Sequence, residues 1–194
     1  MPVPYRKTPR AAEVGQAAYV DAVWSAGDRT FYGGLLILDG KGQPQEFVHN
    51  LLNAPSGLLW PDDQVRQRGL PLLVHSLFDV CRREPDLLVA LNTLGSAEYL
   101  NAEIAPSIPF AAVVPPMEGL PAEWNWINTP PSSGMRAAIL AQELTRRGFI
   151  TEPFERLHEA LRLVYPTVEW PDIATPPPAL HLPEGIAAGF DAEE

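Results

Sequence analysis

The chain predicts an α/β domain on a mixed sheet, and three observations carry that prediction. Three strand-like segments joined by tight turns come first, short wholly apolar segments then alternate with helix-like ones, and two amphipathic helices follow. Apolar residues make up 46% of the 194, and charged residues 20%, enough to bury one sizeable core. The 22 prolines are densest at the N-terminus, from Pro115 to Pro131, and from Pro166 onward. They divide the chain into a flexible basic arm (residues 1–15), one domain (16–165) and a Pro-rich acidic tail (166–194).

Residues 17–25, A-A-Y-V-D-A-V-W-S, are rich in β-branched and aromatic types and read as the first strand, with Gly27-Asp28 as its turn. Residues 30–38 form the second, and D-G-K-G at 39–42 is a strong hairpin signal because glycine readily takes positive φ. Residues 45–52 complete an antiparallel meander. Gly33-Gly34 marks a bulge or a close packing point.

Pro61-Asp62 opens a helix with Asp62 as N-cap. Gly69 and Pro71 predict a break near Gly69 and a main helix over 70–83, with Leu73, Leu77, Val80 and Cys81 facing the sheet. Residues 87–91, L-L-V-A-L, are the signature of a central strand covered on both faces. A helix over 96–105 and a buried strand over 110–114 then imply parallel crossovers. Two helices follow: 133–147, ended by Gly148, and one capped by Thr151 that aligns Phe154, Leu157, Leu161 and Val164. Arg82-Arg83 and Arg146-Arg147 are read as closing their helices, where cations favour the macrodipole.

Charge and composition narrow the function. With no long apolar run and no apolar leader, the reading is cytoplasmic, with no membrane partner. Lone Cys81 has no disulfide mate and reads as a small buried hydrophobe; four scattered His give no zinc pattern. The net charge is -10, and the five acids of residues 171–194 account for half of it, leaving -5 on the body. Phosphate neutralisation by Lys and Arg supplies most non-specific nucleic-acid affinity, so contact with nucleic acid is expected only through a complex, with a protein partner. Arg6, Lys7 and Arg10 are candidate phosphate or partner contacts. Trp124 and Trp126, two apart in a Pro-bounded segment, put both rings on one side of an extended chain, to stack on bases, anchor a partner or cover the sheet edge. Among the motifs absent are a P-loop, a dinucleotide fingerprint and a nucleophile elbow.

A three-stranded meander followed by helix, strand, helix, strand is the ribonuclease H-like order, and between residues 17 and 115 the details resemble the endonuclease V family. Y-V-D places Asp21 where the family has a first-strand Asp. Arg68-Gly69 before L-P-L-L stands where the family has Arg-Glu before a Pro-led helix, and Pro85-Asp86 matches its Pro-Asp. Asn92-Thr93-Leu94-Gly95 stands against Asp-Gly-x-Gly, and the segment from Pro109 to Pro115 against Pro-Thr-Ile-Gly-Val-x-Lys.

The resemblance implies chemistry in which carboxylates converge on magnesium or manganese to activate water. Of the family's acids Asp21 alone remains, as catalytic residue or metal ligand if there is one. Gly69, Asn92 and Pro115 are lost motif positions. The expectation is therefore a pseudo-nuclease with no cofactor, acting as subunit or scaffold in repair or defence. One alternative is an active Mg- or Mn-dependent nuclease whose rearranged site draws on Asp62, Asp63, Glu98 or Glu103. Another is a protein-interaction module unrelated to nucleic acid. For Asp21 itself, satisfaction by backbone amides or an Arg is the competing account.

Overall fold

Burial on both faces marks the central strands of the computed structural model, which describes residues 14–54, 62–91, 108–115 and 122–171, and exposed side chains recur only along its two edge strands. Strands β1 (Gln16–Ser25), β2 (Thr30–Asp39) and β3 (Pro44–Asn53) form the antiparallel meander. Strands β4 (Leu87–Leu91) and β5 (Phe110–Val114) run parallel to β1, and β6 (Glu123–Trp126) returns antiparallel along β5. The order is β3-β2-β1-β4-β5-β6. Three antiparallel strands with β4 and β5 added beside β1 make this a ribonuclease H-like fold of the α/β class, as expected.

Each face has its own helices. Odd-numbered β1 residues such as Ala17 and Tyr19 join Leu36, Leu38 and Val89 under α2 (Arg136–Arg146) and α3 (Glu152–Val164). Even-numbered Ala18 and Val20 join Leu35, Ile37 and Leu88 under α1 (Asp62–Val80). Strand β4 is buried throughout, which is why its sequence shows no alternation. In α3, Phe154, Leu157 and Leu161 are fully buried, each contributing about 1.5–3 kcal/mol.

The Gly33-Gly34 pair is a close packing point. The ladder runs regularly through it, and the register irregularity falls at Ile37/Leu38. A Cβ on Gly33 would meet Leu73 of α1 at 2.8 Å, and one on Gly34 would meet Leu161 of α3 at 2.9 Å. The pair lets a helix approach on both faces at one point.

Two expectations are corrected. First, α1 does not break near Gly69: it is continuous from Asp62 to Val80 with Pro71 inside. Leu73 and Leu77 are fully buried and Gly69 is buried under Phe31, so tertiary packing holds two helix breakers that propensity alone would reject. Second, the helix ends at Val80, because Glu46 of β3 accepts the Arg82 N–H at 3.0 Å. Val80 is consequently 58% exposed instead of facing the sheet, and Arg82-Arg83 lie beyond the helix. Cys81 is half-buried, its thiol raised in pKa chiefly by burial. Gly27-Asp28 do form the first turn, whose one positive φ (53°) falls at Arg29, with its guanidinium over Trp24 at 5.7 Å. Gly42, at φ 76°, does close the second hairpin. The helix expected over 96–105 lies outside the described residues.

Candidate functional site

Asp21 occupies an odd position of β1 opposite Gly34, so its carboxylate points toward α3. There the apolar stripe Phe154, Leu157, Leu161 is interrupted by His158, and the two polar groups meet. His158 Nε2 lies 2.5 Å from Asp21 Oδ2, with the residues 1% and 3% exposed. A carboxylate only accepts, so Nε2 carries the proton and donates it. The other oxygen, Oδ1, accepts the Ala22 N–H at 2.9 Å. Trp170 covers the imidazole, ring centroids 5.6 Å apart. Asp21 is thus satisfied by a backbone amide and a histidine that lies 137 residues away.

The position aligned with the family's second acid lies on the opposite face. Gly69 belongs to α1, where Phe31, Val65 and Leu73 pack together, and a Cβ there would run into the Phe31 ring. Phe31 is itself 2% exposed and braced by Trp24, centroids 4.5 Å apart. A carboxylate at 69 would need that aromatic pair displaced, and would still have the sheet between it and Asp21. The structure does not bring these two positions together. Pro115 is half-buried at the end of β5 and carries no charge. Asn92, Glu98, Glu103 and the arm residues Arg6, Lys7 and Arg10 lie outside the described residues; Asp62 and Asp63 begin α1, and their side chains are likewise outside them.

Among the described residues, those around Asp21 do not fit the divalent cation that the resemblance implies. Magnesium takes several oxygens at about 2.0–2.1 Å and retains water, which requires an open carboxylate. Both oxygens of Asp21 are already engaged, Oδ2 by His158 and Oδ1 by the Ala22 N–H. Among the described residues, no three His, Cys, Asp or Glu side chains converge as metal ligands.

Trp124 and Trp126 share one face of β6, as their spacing predicted, with ring planes within 18° and centroids 6.3 Å apart. Trp124 Nε1 donates to Thr145 Oγ1 at 2.8 Å, and that hydroxyl donates to the Ala141 carbonyl at 2.8 Å, so the ring is tied to α2. Between β6 and α2 runs a groove of about 490 Å³. Sequence reasoning found this pair but missed His158; a single polar residue within the apolar stripe of α3 was the available signal.

No family model matches this chain, and no curated protein does. Solved structures similar to it include the endonuclease V of Streptomyces avermitilis, with 14% identity over 78% of this chain and 82% of that one and a TM-score of 0.49. The endonuclease V of Bacillus subtilis is 14% identical over 53% of this chain and 44% of that one, TM-score 0.38. The ribonuclease H2 of Pyrococcus horikoshii is 10% identical over 77% of each chain, TM-score 0.33. The fold assignment rests on the strand order and directions. No helix among the described residues is long and apolar enough to cross a membrane.

Proposed function

We propose that this chain is a catalytically degenerate, endonuclease V-like protein that serves as a non-catalytic subunit or scaffold in a nucleic-acid-processing assembly of the repair or defence type. The closed Asp21–His158 pair is the observation that carries the reading. A metal-dependent nuclease needs its first-strand acid open to a cation and to a second acid; here that acid is capped by an imidazole, and Phe31 fills the space beside Gly69. The net charge of -10 supports the second half, because a body without basic excess gains little non-specific phosphate affinity of its own.

The test is incubation of purified protein with single-stranded and duplex DNA and RNA in Mg²⁺ or Mn²⁺. The expected outcome is intact substrate; cleavage that Asp21→Ala abolishes would contradict the reading. Purification of the native protein is then expected to bring down a nuclease or helicase, and a purely metabolic partner would argue against the assembly.

A further inference from the structure

We propose that the groove between β6 and α2 is a seat for one unpaired nucleotide of a single-stranded nucleic acid, its base on the Trp124–Trp126 ladder and its phosphate at Arg146. The proposal rests on the preceding section for the class of ligand, while the geometry is independent of Asp21. The groove's volume, about 490 Å³, falls within the range of small-ligand sites. One wall is the pair of near-parallel indoles, the flat, rigid surface on which any base can stack. The opposite wall is shallow because Ala138 and Ala141 are small, which leaves depth for a ring.

The polar groups at the rim match the rest of a nucleotide. Gln142, exposed on α2, offers an amide donor and acceptor of the kind that reads a base edge. Arg146, with its side chain 64% exposed, is held by Glu143 at 2.7 Å in a surface pair weak enough to be exchanged for a phosphate. Arg147 also contacts Glu143, at 3.2 Å, so that acid is shared between two cations, and Arg146 is the one charged side chain among the described residues that line the groove. Thr145 is already engaged with Trp124, and it fixes the platform instead of contacting ligand. With so few cations, stacking supplies the affinity, and binding should respond weakly to salt.

The experiment is anisotropy titration of full-length protein with a fluorescein-labelled oligomer of about twelve thymidines, in EDTA, from about 20 to 200 mM salt. Wild type is expected to bind with a log–log salt slope of about -0.7, the value for one phosphate on a single strand. Trp126→Leu is expected to weaken binding roughly 5- to 150-fold, the range for one lost base stack. Gln142→Ala and Arg146→Ala, at exposed positions, guard against misfolding: both weaken binding, and Arg146→Ala flattens the salt slope. Absence of binding at low salt would overturn the proposal, as would equal binding by Trp126→Leu and Gln142→Ala, a slope steeper than about -3, or capture of a proline-rich peptide in place of the oligomer. Cleavage activity would end the non-catalytic reading without touching this result; a protein blind to the oligomer would leave that reading standing.

Discussion

Removing one partner of the Asp21–His158 pair should cost far more than removing both. In His158→Leu the Asp21 carboxylate, 3% exposed, retains only the Ala22 N–H at 2.9 Å and loses its one charge-capable partner. Breaking a buried pair in this way typically costs about 3–5 kcal/mol, because the remaining group is left buried without its compensating partner. For a chain of this length each kcal/mol moves Tm by about 2–4 °C, so a fall of roughly 6–20 °C is expected. Asp21→Val should cost a similar amount by orphaning the imidazole. The double variant Asp21→Val/His158→Leu replaces the pair with apolar groups inside an apolar layer, and its Tm should return to the wild-type value or exceed it. Urea denaturation of the four proteins gives the coupling directly. Single variants each within about 1 kcal/mol of wild type, or a double variant showing the sum of both losses, would refute the reasoning.

Gly69→Ala should destabilise by about 1–3 kcal/mol, although alanine is the better helix former, because the new methyl meets the Phe31 ring; Phe31→Leu should relieve the cost in a double-mutant cycle. Gly34→Ala should likewise cost about 1–3 kcal/mol by overpacking Leu157 and Leu161, read from urea midpoints. Burial raises the pKa of Tyr19 far above its ordinary value of 10.0, while its hydroxyl donates to the Phe149 carbonyl at 2.6 Å. Its neutral form is therefore favoured in the fold, and the stability it contributes is complete below about pH 10 and lost above it, at about 1.4 kcal/mol per pH unit. Tyr19→Phe should remove that increment from the alkaline limb while lowering stability near neutrality by about 1 kcal/mol.

Local pattern made the sheet legible. The unbroken apolar runs of β4 and β5 and the turn glycines are properties of contiguous residues, and the parallel crossovers followed from connection rules. What failed to show was set by distant contacts. The continuity of α1 through Gly69 and Pro71 depends on Phe31, some forty residues earlier in the chain, and its end at Val80 depends on Glu46. The Trp spacing predicted a shared face, but the pairing of that segment along β5 is invisible in a stretch of four residues. The fate of Asp21 was least accessible. Satisfaction of the carboxylate by a backbone amide was anticipated, whereas its partner is a histidine drawn from α3.

If Asp21 is a structural carboxylate closed to cations, a divalent metal has no purchase on the folded state through it. Melting the purified protein in EDTA and in about 5 mM Mn²⁺, beside Asp21→Asn, tests this most directly, since a ligand held by the folded state raises Tm in proportion to its affinity. Superimposable wild-type curves in the two buffers are expected. A rise of several degrees in Mn²⁺ that disappears in Asp21→Asn would contradict that expectation.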